Sequence, residues 1–375
     1  MMNRRDLLIG AGYSLGMLGL ASCASIPKAT PNKQSRYAHY KALKSSMDRV
    51  THSVVGLRPF RPQGYRLELE QLENKTIVHN YGHGGGGITL SWGTSIIAAQ
   101  LASQPLSRDI AVLGSGVMGL TTSLLLAQQG FNVTIYAKDF PPNTTSNIAA
   151  ALWLPSSYFD KKVVTSQFLT RDRPIIRGSF ARFLTYVNRP RYGVCWNNYH
   201  LLLPEERQSI STLPGGNDLY PELATSTNDN LFGYPYQSYM KALIIDPMLY
   251  LPALLQDAQR AGAKLKFAQF KSVDDVFSLK ESVIVNCTGL GASVLFGDNS
   301  MYPIQGQLTH LLPQPEITYS YVVPTPEGYL YMFPRKGSIV IGGTAVKRAY
   351  DTKPNDQLTL NMVRGHADLA RKLST

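Results

Sequence analysis

Five glycines stand among the twelve residues HNYGHGGGGITL (79–90), and a second set, Gly114-x-Gly116-x-x-Gly119, follows one short linker later. A glycine inside a helix or strand weakens it by roughly 0.5–1 kcal/mol, so such clusters mark a backbone that must bend sharply or approach a ligand closely. For the first cluster a flexible hinge is the plain alternative. The second cluster has a readable context: an apolar strand precedes it, a helix ended by Gly130 follows, and the strand Asn132–Ala137 comes next. That order is a dinucleotide fingerprint. The first glycine allows the tight turn, the second admits a pyrophosphate, and the third lets helix and strand pack. Phosphates then sit on the amides of Gly116, Val117, Met118 and Gly119 at a helix N-terminus. An acidic residue usually closes the second strand to hold ribose hydroxyls. Here Lys138 comes first and Asp139 one place later, and either side chain is placed to face the adenosine.

The elements that position these loops belong to a chain of 375 residues, 44% hydrophobic and 17% charged, enough for one large or two ordinary domains. Its first residues read as an export signal (1–23). Arg4-Arg5 precedes an apolar run too short for a membrane span, and Leu20-Ala21-Ser22-Cys23 resembles a bacterial lipobox. The expectation is an exported protein, periplasmic or anchored to a membrane through a lipidated Cys23. A Pro-rich tether (24–35) follows, and RYAHYKALKSSMDRV suggests a weak helix. Strands are expected near Ser53, over Arg66–Glu70 and before His79, with a helix from Ile88 to Gln100. A net charge of +12 suits anionic lipid better than nucleic acid, for which no motif is present. Beyond Cys23 only Cys195 and Cys287 occur, without CxxC spacing, so neither a disulfide framework nor a metal site is indicated. Residues 156–245, rich in Tyr, Pro, Asn and Arg, show no clean periodicity.

Five stretches together resemble the D-amino-acid oxidase family of flavoenzymes: VLGSGVMGL (112–120), TTSNIAAALWLP (144–155), VNCTGLGA (285–292), VGLRPFRP (55–62) and HNYGHGGGGITLSWG (79–93). In that family the dinucleotide strand opens the chain and the last two motifs close it; here the closing motifs come first, which circular permutation explains. The resemblance implies an α/β fold, with an FAD-binding Rossmann-like domain and a mixed antiparallel-sheet substrate domain. The expected parts are 36–102 (the permuted Arg loop and glycine loop), 109–155 (dinucleotide core), 156–263 (mostly substrate domain), 264–300 (return to the FAD domain) and 301–375 (substrate sheet and C-terminal helix). Permutation requires neighbouring ends, so 36–50 and the C-terminal helix should touch.

By this resemblance FAD is gripped at both ends. Its phosphates lie at Gly114–Gly119, and Gly84, Gly85, Gly86, Gly87, Ile88 and Thr89 wrap the ring system, where a helix N-terminus favours the charge of the reduced state. Thr144, Thr145 and Thr288 complete the cofactor site, and Cys287 is buried and inert. Arg58 matches the carboxylate-binding arginine, and Tyr331 the tyrosine that hydrogen-bonds the same carboxylate. Tyr329 or Tyr321 is the nearest counterpart of a second, lid-borne tyrosine. Leu154, Met332 and Phe333 point to an apolar or aromatic D-amino acid, with oxygen or another acceptor taking the electrons. His79 and His83 are read as packing residues, since hydride transfer from a neutral amine needs no side-chain base. A related amine oxidase or dehydrogenase acting on glycine or N-methyl amino acids, and a catalytically silent FAD-binding surface protein, are the alternatives.

Overall fold

Residues 37–49 enter the fold without the helix that their spacing suggests; only a 3-10 turn, Met47–Arg49, forms. Tyr37, Tyr40 and Leu43 are instead buried as separate anchors. The Tyr40 ring stacks on Tyr319 at 4.3 Å, and the Lys44 amide donates to Gln314 Oε1 at 2.8 Å. Burying three large side chains on a sheet outweighs one turn of local helix preference. The computed structural model describes residues 37–205, 213–227, 230–325 and 328–373. The expected export signal, the tether and Cys23 lie outside the described residues.

The chain continues through strands β1 (Val50–Phe60), β2 (Arg66–Leu72) and β3 (Lys75–Tyr81), helix α1 (Gly87–Ala102), β4 (Asp109–Leu113), α2 (Val117–Gln128) and β5 (Asn132–Ala137). Then come α3 (Ser166–Leu184), β6 (Val194–Leu203), β7 (Ala224–Ser226), β8 (Tyr236–Ile245), α4 (Pro247–Arg260), β9 (Lys264–Phe267), α5 (Val273–Phe277), β10 (Val283–Asn286) and α6 (Gly291–Phe296). The last elements are β11 (Tyr302–Leu311), β12 (Tyr319–Thr325), β13 (Gly328–Pro334), β14 (Ile339–Gly342), β15 (Val346–Lys347) and α7 (Asp356–Leu373).

Two mixed sheets result. The six-stranded sheet runs β2-β3-β10-β4-β5-β9, parallel throughout except for the β2·β3 hairpin. Its central residues Ile110–Leu113 and Val283–Val285 are fully buried, as strands covered on both faces must be. From β4 the order moves outward through β5 to β9, then returns to the other side of β4 with β10. Such a reversal of strand order marks the region beyond the carboxyl ends of β4 and β10, the place where open α/β sheets hold their ligands in a crevice. The nine-stranded sheet runs β1-β11-β14-β13-β12-β6-β8-β7, with β15 also on β11. Residues 50–81 serve both sheets: β1 pairs with β11 along almost its whole length, while β3 lies between β2 and β10. The segment after Tyr37 and helix α7 are neighbours as expected, sharing a core of Tyr37, Tyr40, Leu43, Met362, Val363 and Leu369. Ser45 Oγ also donates to the Val363 carbonyl at 2.9 Å.

Candidate active site

The glycine turn after β4 is shaped by contacts that leave no room for a side chain. Gly114 has φ +100°, and a Cβ there would lie 2.6 Å from the Cys287 carbonyl oxygen. One on Gly119 would lie 1.9 Å from the Gly114 carbonyl. These glycines therefore let β4, β10 and α2 close together, as the motif predicts. Gly116 caps α2, whose first turn, Val117-Met118-Gly119, offers amides without intrahelical partners. The Val117 amide donates to Ser146 Oγ at 3.0 Å, which brings the segment Thr144–Ile148 against the turn. Thr144 is buried, its hydroxyl donating to Asn147 Oδ1 at 2.8 Å, and Thr145 is exposed beside it. Asp139 is exposed, but its main-chain carbonyl accepts from Ser115 Oγ, so the end of β5 borders the same turn. Thr288 directs both its amide and its hydroxyl to Asn286 Oδ1, at 3.1 and 2.7 Å. Burial pushes the Cys287 thiol up to about 12, leaving it unreactive as expected.

The other glycine cluster divides into two roles. A Cβ on Gly84 would meet the Ser157 carbonyl at 2.5 Å, and one on Gly85 the Ser157 side chain at 3.0 Å. The Gly85 amide donates to that same carbonyl at 2.8 Å. Gly86 is pressed against Tyr158. These three serve packing against another loop of the protein, a role their spacing did not reveal. Gly87 differs: a Cβ there would meet nothing nearer than His83 Cβ and Met118 Cε, both at 4.0 Å. Met118 belongs to the first turn of α2, so the two glycine loops face one another. Ile88 and Thr89 follow, both buried, with the Thr89 carbonyl accepting from Ser179 Oγ at 2.5 Å. His83 stacks on Tyr65 at 4.7 Å, and burial pulls its pKa down to about 3, so it is neutral.

Strand β1 carries Arg58 to this crevice. Phe60 bridges to His83, Pro59 lies against Gly289, and Gly56 packs on Ile148. The Arg58 guanidinium fills the space left by Gly306, where a Cβ would be 2.5 Å from both of its terminal nitrogens. Gly342 makes room in the same way for the Tyr331 ring, also at 2.5 Å. The Tyr331 hydroxyl is enclosed and has no hydrogen-bond partner. Burial raises its pKa, against the lowering effect of Arg58 beside it. Arg335, which sequence reasoning missed, lies close by. It donates to the carbonyls of Ala149 and Ala150 at 2.6 and 3.0 Å, and burial lowers its pKa. Neither Arg58 nor Arg335 enters an ion pair among the described residues.

Two expected pocket residues lie elsewhere. Tyr321 donates nothing to this crevice: its hydroxyl is engaged with His366 Nδ1 at 2.7 Å in the core under α7. Met332 is in that core too, because alternation along β13 turns it away from Tyr331 and Phe333. Tyr329 shares the Tyr331 face and is exposed. His79, read as packing, makes two directed hydrogen bonds, to Glu70 Oε2 at 2.9 Å and to Asn286 Nδ2 at 3.2 Å.

The structure thus brings the glycine turn after β4, the Gly87 loop, a guanidinium without an ion pair among the described residues and a phenol without a hydrogen-bond partner to one end of the six-stranded sheet. Comparison with known proteins gives the family. The family model described as FAD dependent oxidoreductase matches residues 109–373. The D-amino-acid oxidase of Dictyostelium discoideum is 26% identical over 265 residues, covering 68% of this chain and 71% of that protein. The D-amino-acid oxidase of Rubrobacter xylanophilus is 29% identical over 249 residues, covering 65% and 72%. Among solved structures, glycine oxidase from Geobacillus kaustophilus superposes with a TM-score of 0.53 at 18% identity, over 71% of this chain and 79% of that one. A family match across most of the chain establishes that this protein belongs to the FAD-dependent oxidoreductases.

Proposed function

We propose that the protein oxidises a D-amino acid at Cα. The observation that carries this reading is the pairing of Arg58 and Tyr331, each seated where a glycine omits its side chain and neither engaged by a carboxylate of the protein. A planar guanidinium binds a carboxylate through two parallel N–H donors, and the Tyr331 hydroxyl supplies a third donor from the side. FAD, when bound, accepts the hydride from Cα. The loops of Gly114–Gly119 and Thr288 would hold its phosphates and sugar, Gly87–Thr89 its ring. Asp139, Thr144 and Thr145 would complete its border. With Cα positioned against the ring, the neutral amine needs no side-chain base, and the buried neutral His83 supplies none. Water converts the imino acid to a 2-oxo acid and ammonia, while oxygen takes up the two electrons and two protons as hydrogen peroxide. Phe333, whose ring lies 5.3 Å from that of Tyr331, favours an apolar or aromatic side chain.

Circular permutation is part of the proposal. The family match begins at the first residue of β4 and leaves out residues 50–102, yet those residues supply β1, β3 and α1 to the same crevice. Export and lipid anchoring at Cys23 also belong to it, supported by Arg4-Arg5 and the Leu20-Ala21-Ser22-Cys23 run. The test is the absorption spectrum of the purified protein under anaerobic conditions with D- and L-amino acids. Bleaching by D-isomers alone is expected, and bleaching by L-isomers alone would overturn the enantiomer assignment. In Arg58→Lys, substrate binding should weaken at least about tenfold with FAD content unchanged, because an ammonium cannot reproduce the fork. Loss of flavin in that variant would refute the role given to Arg58.

A further inference from the structure

Adjacent parallel strands β3 and β10 pair His79 with Asn286, and both side chains are fully buried. From there the two strands diverge, β3 into the Gly84 loop and β10 into the Thr288 turn. One polar chain joins them: Glu70 Oε2, His79 Nε2, His79 Nδ1, Asn286 Nδ2, and Asn286 Oδ1 to the amide and hydroxyl of Thr288. Its direction follows from a single atom. A main-chain N–H can only donate, so the Asn286 atom facing the Thr288 amide is oxygen, and the atom facing His79 is the NH2. His79 Nδ1 must therefore accept, its proton must sit on Nε2, and Nε2–H donates to Glu70. The Thr288 hydroxyl likewise donates to Asn286 Oδ1, which leaves its lone pairs for a ligand.

We propose that His79 is a positioning residue for the cofactor: as the neutral Nε2–H imidazole it locks the Asn286 amide, and thereby presents the Thr288 hydroxyl as an acceptor for a hydroxyl donor of FAD. The inference rests on the placement of Thr288 at the cofactor. A second proton on His79 would put an N–H against the Asn286 NH2, two donors face to face, and the amide would have to turn and release Thr288. The groups facing His79 are Glu70, Glu68 and Arg66 from β2, the Tyr81 ring from its own strand, Asn286 from β10 and the Phe296 ring from α6. Burial and the nearby Arg66 hold the imidazole below its ordinary pKa, while Glu70 acts the other way. The lock is thus closed at neutral pH, and FAD affinity should fall as acid drives the second proton on.

The experiment follows FAD release from the purified holoprotein on dilution, by flavin fluorescence, between about pH 7.5 and about pH 4.5. Circular dichroism at each pH confirms folding. His79→Leu removes the acceptor and should raise the dissociation constant about tenfold at neutral pH. His79→Asn places an amide oxygen near the Nδ1 position without a titratable group, so it should hold FAD nearly as well as the parent and lose the acid weakening. Thr288→Val should weaken FAD to a similar degree as His79→Leu. Parent-like affinity in His79→Leu, or an unchanged acid response in His79→Asn, would overturn the lock. An unchanged FAD affinity in Thr288→Val would instead refute the placement of Thr288 on which it rests.

Discussion

Tyr331 separates a binding role from a packing role, because its enclosed hydroxyl has no partner in the fold. Deleting an unsatisfied buried hydroxyl relieves a desolvation cost, so Tyr331→Phe should leave the protein as stable or up to ~1 kcal/mol more stable in urea denaturation. The same variant should raise KM for the amino acid several-fold. A core tyrosine would give the reverse result, lower stability with KM unchanged. Arg58 was legible as a candidate in VGLRPFRP, but the segment expected as a loop is the end of strand β1, paired to β11, and the space that holds the side chain was not legible. Gly306 makes that space and Gly342 the matching one for Tyr331, both far along the chain, and their meaning appears only when β11 and β14 lie beside β1 and β13. Arg335 was illegible for a related reason: an arginine in a turn after Phe333-Pro334 looks solvent-facing until the carbonyls of Ala149 and Ala150 close over it. Tyr321 illustrates the converse, a plausible side chain spent on a buried histidine.

At the level of elements, the glycines of the two loops make contrasting predictions. Gly119→Ala would force a Cβ to within 1.9 Å of the Gly114 carbonyl, so α2 must shift; a loss of about 1–3 kcal/mol in stability, together with loss of FAD, is expected. Gly87→Ala meets only ordinary contacts, and Gly87 has φ −55°, which alanine adopts readily. The variant should melt at or slightly above the parent temperature, since alanine restricts the unfolded chain. Its FAD content should nevertheless fall under the proposed placement of the ring at Gly87–Thr89, since the added methyl faces the gap toward Met118 of the other glycine loop. Parent-like FAD binding in Gly87→Ala would show that the ring lies elsewhere. Sequence pattern recovered the parallel strands, whose apolar runs are buried on both faces, and the helix behind each glycine loop. It did not recover α3, whose buried stripe of Phe168, Ile175, Ile176, Phe180 and Phe183 includes the polar Asp172 and Ser179 and an internal Pro174, nor β6 and β8, where buried polar residues such as His200, Gln237 and Ser238 break the apolar alternation. Nor did it show that Gly84, Gly85 and Gly86 pack on residues 157–158, a contact between distant loops.

Across the whole molecule, acid sensitivity follows from buried histidines held below their ordinary pKa, His79 among them and three others more strongly. Burial pulls His83, His310 and His366 down to about 3, with Arg335 and His52 adding to the effect at His310. In the unfolded chain each titrates near its ordinary value of about 6.5, so between these limits the unfolded state binds more protons. The stabilisation is complete above about pH 6.5 and is lost as pH falls toward 3, so the urea midpoint should decline steadily over that window. Element order is the other whole-molecule property. The chain enters the fold at Tyr37, in the same core that receives the end of α7, while Ala102 and Asp109 are joined by a short surface connection. If two orders of one fold are interchangeable, a chain running 109–373, then a flexible linker of about ten residues, then 37–102, should close the same sheets. The rearranged protein should bind FAD and show the flavin spectrum of the parent, with β1 still paired to β11. A soluble, helical product unable to retain FAD would mean that synthesis in the present order, not proximity of the ends, builds the crevice.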